Sequence, residues 1–209
     1  SIGESTFVGG VVLDSIGGCG MKYLVTKGQA ILQAKKSYFV AGDVIVMLGS
    51  DIKATNNPGP TETMILTLPT AKDINDYYLD GKKYQFCDGS KNVSDMKYFF
   101  CRNIGIIPVD GQNLVMKCET RTRHNSCINK LVAFQDPQEY TRRFFSIQSC
   151  HGKNPSNGEY GAIILPASTL DKTAEAAKNP PVRIVQKDDK IHAIEKSDSS
   201  CAAGVFFDA

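Results

Sequence analysis

Short apolar runs and alternating apolar and polar positions fill most of the chain. The runs are rich in Val, Ile, Phe and Tyr, and most are bounded by Gly, Asn, Asp or Pro, which is typical of β-strands separated by turns. About fifteen such runs with little helix between them predict an all-β fold, a large many-stranded antiparallel β-sandwich. The predicted strands cover residues 7–13, 21–26, 30–34, 37–40, 44–48, 63–68, 83–86, 97–101, 114–118, 131–134, 143–148, 160–165, 182–186, 191–195 and 204–207.

Turn and capping signals predict where some elements begin and end. Asp-Gly pairs at 80–81, 88–89 and 110–111 predict hairpin-type turns. One segment has helical character, because its alanines favour helix and Ser168 can cap its first turn. The prolines at 180 and 181 stop it. The sequence therefore predicts one short helix over 168–178.

Length and composition narrow the class of protein. The chain has 209 residues, 42% of them hydrophobic and 22% charged, which is ordinary globular usage and excludes general disorder. No apolar run approaches the roughly 18 residues that cross a bilayer, so we predict no membrane span. A net charge of +2 gives no reason to expect nucleic acid as a partner. We predict one continuous domain over 1–209, and the start at Ser1 rather than Met indicates a processed chain or part of a longer one.

The seven cysteines give information on the cellular compartment of the protein. None has C-x-x-C spacing, so we predict no metal site and no cofactor. Their scatter fits structural disulfides in a secreted chain, which we prefer, or buried thiols. Asn92-Val93-Ser94 is a glycosylation sequon, and it also favours a secreted, extracellular protein.

The three histidines do not assemble an active site in the sequence. His192 alternates with apolar neighbours, which indicates a structural place on a sheet face. His151 follows Cys150, but adjacent strand residues point to opposite faces, so the two make a poor nucleophile and base. His124 lies in a basic polar stretch over 121–125, which is either a solvated loop or a contact for an anion or sugar. There is no G-x-S-x-G elbow and no phosphate-binding loop.

Five strings along the chain occur in an order that one enzyme family shares. They are FVGGV at 7–11, AKKSYF at 34–39, DVIVMLGSDI at 43–52, SCIN at 126–129 and HGKNPSNGEY at 151–160. Together they resemble polysaccharide lyase family 8, whose members cleave hyaluronan, chondroitin or xanthan by β-elimination. The resemblance extends over nearly the whole chain, and it implies the central β-domain of that family, the supersandwich.

The resemblance also implies what lies elsewhere. The catalytic Asn, His, Tyr and Arg of the family lie in an N-terminal helical toroid, and an assisting acidic residue precedes the FVGG string. We therefore expect no catalytic residue in this chain. The expected partners are a helical toroid domain or chain of the same protein and an acidic, glycosaminoglycan-like polysaccharide.

Sugar contacts are predicted at Arg121, Arg123, His124 and Lys130, because forked arginine donors suit sulfate and carboxylate groups. Two other functions stay open. One is a secreted or virion structural or carbohydrate-binding protein that kept the lyase fold without its activity. The other is an unrelated sugar-binding sandwich of the jelly-roll type, in which aromatic rings such as Tyr38 or Tyr98 stack on sugars.

Overall fold

A computed structural model describes residues 5, 7–70, 76–109, 111–124 and 139–208. Most of the described residues are in strands. The described residues also contain one helix, α1, at Leu170–Lys178. The strands are β1 Val8–Leu13, β2 Ile16–Lys27, β3 Ala30–Ala41, β4 Val44–Thr55, β5 Thr61–Pro69, β6 Asp76–Leu79, β7 Lys82–Gln85, β8 Gly89–Asn92, β9 Phe99–Cys101, β10 Ile104–Pro108, β11 Leu114–His124, β12 Glu139–Gly152, β13 Gly158–Leu165, β14 Val182–Lys187, β15 Ile191–Lys196 and β16 Ala202–Phe206.

These strands form three sheets. A nine-stranded sheet has the order β1-β2-β3-β4-β13-β10-β9-β6-β7, a four-stranded sheet the order β5-β12-β11-β8, and a three-stranded sheet the order β14-β15-β16. Every pair is antiparallel. The predicted all-β, many-stranded antiparallel sandwich is therefore confirmed.

The nine-stranded sheet is the middle layer, because neighbouring residues on its strands enter different cores. Ile106 and Ala162 pack with the four-stranded sheet, in a core that contains the buried Phe145. Ile107 and Ile163 pack on the opposite side with the three-stranded sheet and α1. Adjacent residues of a strand point to opposite faces, so β10 and β13 each contribute to both cores.

One of the three predicted hairpin turns forms. Asp80 and Gly81 both have positive φ, 49° and 80°, and connect Leu79 of β6 to Lys82 of β7, as a tight hairpin turn with two left-handed residues requires. The strands that flank the Asp-Gly pairs at 88–89 and 110–111 lie in different sheets. Asp110 itself lies outside the described residues, but strands in different sheets are not the two arms of a hairpin, so the hairpin prediction is wrong at both pairs.

Strand β2 begins before the predicted start at residue 21 because its glycines pack closely against other side chains. A Cβ atom on Gly18 would lie 2.9 Å from the Phe39 ring, and one on Gly20 would collide with Val205. Glycine is normally a weak strand former. Here the absence of a side chain makes room at Gly18 for the Phe39 ring of the neighbouring strand β3, and at Gly20 for Val205 of the three-stranded sheet.

Strand β3 runs without a break through the two lysines at which the sequence predicted a gap. Lys35 reaches Asp208, at 3.5 Å, and the Asp189 carbonyl. Lys36 places its amine 5.1 Å from the centre of the Tyr23 ring. Because each amine has a partner of its own, the two charges do not interrupt the strand.

The predicted helix is confirmed, but its cap is Thr169 rather than Ser168. The Thr169 hydroxyl accepts a hydrogen bond from the Lys172 backbone N–H at 3.2 Å, the usual N-cap contact. The Ser168 hydroxyl instead lies 3.0 Å from the Thr173 hydroxyl.

Some predictions concern residues outside the described ranges. The strand over 131–134, Lys130 and Cys127 are among them, and the single domain over 1–209 also stays a prediction. In the part of the chain that the structure describes, the one helix is too short and polar to cross a membrane.

Candidate functional site

Strands β11 and β12 extend beyond their neighbours as a two-stranded ribbon. Strand β8 accompanies β11 only to Cys118, and β5 accompanies β12 only from Phe144 onward. The segments 119–124 and 139–144, here called the basic ribbon, pair with each other at the far end. This ribbon carries the arginines that the sequence analysis singled out.

The strand register collects charge and aromatic rings on one face of the basic ribbon. Arg121 lies opposite Arg142, and Arg123 lies opposite Tyr140. Directly opposite side chains in an antiparallel pair share a face, and Phe144 is two residues beyond Arg142 on that face. Three guanidinium groups and two rings are therefore combined there. The other face carries threonines at 120, 122 and 141, together with Arg143 opposite Thr120.

The described contacts of these arginines use only part of their donors. Arg121 binds Glu119 through Nε at 2.8 Å and lies 5.2 Å from the Phe144 ring centre. Arg123 and Arg142 each donate one N–H to a neighbouring backbone carbonyl, at 3.0 and 3.1 Å. A guanidinium has five N–H donors, so within the described contacts most donors of these two arginines are unused.

The structure brings together part of the predicted sugar site. Arg121 and Arg123 share the face just described. The backbone of His124 lies in β11, paired with Glu139, so the predicted loop over 121–125 is strand up to residue 124. Lys130 lies outside the described residues. Sequence analysis missed Arg142, because only the register of β11 and β12 shows that it lies opposite Arg121.

The nine-stranded sheet leaves one end of a face open. The cross-strand row Val12, Gly17 and Val40 borders an apolar groove of about 630 Å³, which Tyr38 also lines. Val12 is 79% exposed and Val40 is 49% exposed. Contiguous exposed apolar surface of this kind marks an interaction surface. Tyr98, the other ring proposed for sugar stacking, instead packs against the core beside α1.

His192 is fully buried and has a defined tautomer. The Ser50 hydroxyl donates its proton to the Asp188 carbonyl at 2.7 Å, so it accepts from His192 Nε2–H at 2.8 Å. The other ring nitrogen, Nδ1, then accepts from the Ser37 hydroxyl at 2.7 Å. Burial, and next the charge of Lys187, lower the pKa of His192 to about 4. This histidine joins β15 to β3 and β4, and it plays the structural role that the sequence predicted.

His151 and Cys150 do not form a nucleophile and base pair. The His151 Nε2 atom lies 3.0 Å from the Thr63 hydroxyl, and burial lowers the pKa of this histidine. The Cys150 thiol lies 3.8 Å from a Glu62 carboxylate oxygen, and burial raises its pKa. The two neighbours thus contact different residues.

The preferred disulfide framework is not present among the described residues. All six cysteines there are free thiols, distributed over different sheets and loops, and Cys101 and Cys118 are buried. The alternative interpretation, buried thiols, holds for these two. The described residues also contain no group of three His, Cys, Asp or Glu side chains that could hold a metal ion.

The Asn92 sequon lies on edge strand β8 with an exposed side chain. Its amide donates to Asn113 Oδ1 at 3.1 Å, and its Oδ1 accepts from the Ser94 backbone N–H at 3.0 Å. Glycosylation of this residue stays a prediction.

Comparisons with known proteins agree with this fold. A family model described as polysaccharide lyase family 8, super-sandwich domain, matches residues 2–177. Hyaluronate lyase of Staphylococcus aureus is 31% identical over 211 residues, which cover 97% of this chain and 24% of that protein. Chondroitin sulfate ABC exolyase of Bacteroides thetaiotaomicron is 27% identical over 212 residues, which cover 98% of this chain and 19% of that protein.

A solved structure gives the same result. Xanthan lyase of Paenibacillus, at 2.6 Å resolution, has a TM-score of 0.86 and 26% identity, over 96% of this chain and 20% of that one. The layered antiparallel sheets therefore define a β-supersandwich domain. Because the family model matches most of the chain, the chain belongs to polysaccharide lyase family 8. It spans a quarter or less of the length of these three relatives.

Proposed function

We propose that this chain is the supersandwich part of a secreted polysaccharide lyase that cleaves uronate-containing glycans by β-elimination. Membership of the family supports this proposal, as do relatives named for hyaluronate and chondroitin sulfate. The reaction needs a neutralised carboxylate, a base for the proton beside it and an acid for the leaving oxygen, all within reach of one sugar. His151 and His192 are held in separate internal contacts, so we assign no catalytic residue to this chain.

The catalytic groups would come from a helical domain or chain of the same protein. Two observations support this partner. The chain covers only a minor part of its relatives' length, and the open face around Val12 and Val40 is apolar and exposed. A helical partner seated on that groove would bury it and complete a cleft.

The basic ribbon is the proposed contact for the acidic polysaccharide. The observation that carries this proposal is the shared face of Arg121, Arg123 and Arg142. Guanidinium forks bind sulfate and carboxylate groups with paired hydrogen bonds. The adjacent Tyr140 and Phe144 rings add apolar surface for sugar rings.

A binding experiment tests the ribbon. Wild type and the triple variant Arg121→Ala, Arg123→Ala, Arg142→Ala are applied to immobilised chondroitin sulfate and eluted with salt. The matched control removes three exposed lysines elsewhere: Lys27→Ala, Lys82→Ala, Lys172→Ala. We expect the arginine variant to elute at markedly lower salt than the control. Equal elution of the two variants would reject the ribbon as the binding surface.

A product assay tests whether the catalytic groups lie outside this chain. The chain alone and the longest natural form of the protein are incubated with hyaluronan, chondroitin sulfate and xanthan, and the ultraviolet absorbance of unsaturated uronate is followed. We expect product only from the longer form. Product from the chain alone would overturn the absence of catalytic residues. Binding without product from either form would favour the non-catalytic carbohydrate-binding alternative.

A further inference from the structure

Two cysteines that the proposed function does not use border the same small cavity. Cys87 is exposed in the connection between β7 and β8, and Cys118 is buried on β11. Both line a cavity of about 270 Å³, together with Tyr77, Tyr84 and Phe145. The cavity therefore separates an accessible thiol from a sheltered one.

Strand pairing brings Cys118 close to the segment that carries Cys87. Cys118 lies directly opposite Gly89, and Cys87 precedes Gly89 by two positions. The chain bends at Asp88, and Gly89 has a φ of 122°, so this segment leaves the strand direction and borders the same cavity as Cys118. A disulfide needs Cβ atoms about 4 Å apart. Because the connection around Cys87 lies outside any strand, movement of this connection into the cavity would bring the two sulfurs together.

Arg143 contacts the segment that carries Cys87 and also interacts with Cys118. Its Nε donates to Asp88 Oδ1 and its Nη2 donates to the Phe86 carbonyl, both at 3.1 Å. These two residues are the immediate neighbours of Cys87 on either side. The same guanidinium interacts with Cys118 and favours its thiolate, which offsets part of the rise that burial causes in the pKa of that thiol.

We propose that Cys87 and Cys118 form an intramolecular disulfide when the protein meets a small-molecule disulfide such as oxidised glutathione. The exposed Cys87 thiolate attacks that disulfide, which gives a mixed disulfide on Cys87 and releases one glutathione thiolate. The Cys118 thiolate then attacks the Cys87 sulfur and releases the second glutathione. Two protein thiols are oxidised, one glutathione disulfide is reduced, and the two thiol protons end on two glutathione molecules.

Arg143 acts as a positioning residue in this reaction, since it fixes the segment that carries Cys87. The bond would tie edge strand β8 and the connection before it to β11. The proposal concerns a redox modification, and it is independent of sugar binding by the opposite face of the basic ribbon.

The test uses the folded chain in glutathione redox buffers of increasing oxidised fraction. Free thiols are alkylated, and peptides are mapped by mass spectrometry without reduction. We expect a Cys87–Cys118 peptide to dominate in wild type and in the control Cys19→Ser, which removes another exposed thiol. Cys87→Ser should leave Cys118 reduced. Stable glutathione on Cys87 with Cys118 reduced, or Cys118 bonded to a third cysteine, would overturn the proposal.

The role of Arg143 has its own readout, the exchange constant between the protein disulfide and glutathione. We expect Arg143→Gln to lower this constant by about tenfold, because the effective concentration of the two thiols falls. Arg143→Lys should restore part of it. An unchanged constant in a folded Arg143→Gln variant would reject the positioning role.

Discussion

The surroundings of His192 and the basic ribbon are both assembled by antiparallel strand register, but the first is buried and the second is exposed. In both, antiparallel register places polar side chains of neighbouring strands next to each other. Ser37, Ser50 and His192 are covered by another layer and are 0–1% exposed. Arg121 and Arg142 lie beyond the last neighbouring strand, and their described contacts are all to the ribbon itself. What covers the side chains, rather than what they are, separates a structural contact from a candidate binding surface.

The physical reason is desolvation. A buried donor or acceptor without a partner costs roughly 1–3 kcal/mol, so the covered cluster must satisfy every polar atom internally. An exposed guanidinium is already hydrated, and it exchanges water for an external anion at little cost. Substitutions in the covered cluster should therefore change stability, and substitutions in the ribbon should change binding.

The largest expected effect follows removal of the buried ring. His192→Ala leaves the Ser37 hydroxyl without its acceptor and creates a cavity, which should cost about 2–4 kcal/mol of unfolding free energy. Urea denaturation measures this loss. The matched control is His151→Ala, which removes a half-buried ring with one described hydrogen bond. A loss no larger than in the control would contradict the importance of the covered cluster.

The pH dependence of stability should report the same cluster. The folded pKa of His192 is about 4, and an unfolded histidine has a pKa of about 6.5. Between these values the unfolded chain binds more protons, so stability should fall as the pH falls from 6.5 to 4, by about 3 kcal/mol in all. Asp188, with its pKa lowered to about 2, stays ionised in this window.

His192→Gln isolates that contribution. Its amide can still meet both serines, and it does not titrate. Denaturation midpoints of wild type and variant, measured from pH 7 to pH 4, should converge as the pH falls, since His151 is common to both. A constant difference across that range would show that His192 is not the titrating group.

A smaller loss of stability is expected at the N-cap of α1, the helix that packs on the same core as β15. Thr169→Ala removes the hydrogen bond to the Lys172 N–H and should cost about 1 kcal/mol. Ser168→Ala, the residue that the sequence favoured as the cap, should cost less. Thermal unfolding of the two variants compares them, and the reverse order would restore Ser168 as the cap.

The smallest effect on stability is expected in the basic ribbon. Each of Arg121→Ala, Arg123→Ala and Arg142→Ala should change the unfolding free energy by less than about 0.5 kcal/mol, because exposed ion pairs contribute little. Retention on chondroitin sulfate should nevertheless fall. A large cooperative loss of stability would instead place these arginines among the structural contacts.

Local sequence patterns specify the secondary-structure elements of this protein better than they specify which elements pair. Alternation and turn residues were enough for an all-β fold and one helix, but of three Asp-Gly signals only Asp80-Gly81 joins two paired strands. The glycines of β2 gave no strand signal, because the reason for them is Phe39 and Val205 in other strands. Local patterns report local preferences, and close packing between layers is not a local property.

The candidate site divides in the same way. The sequence was sufficient to predict Arg121 and Arg123 as anion-binding residues, and five ordered strings were sufficient for the family resemblance. Only tertiary structure added Arg142 and joined Arg143 to the neighbours of Cys87. It also enclosed His192 between two serines that are distant in the chain. Strand register and layer coverage are long-range properties, since they depend on segments that meet only when the chain is folded.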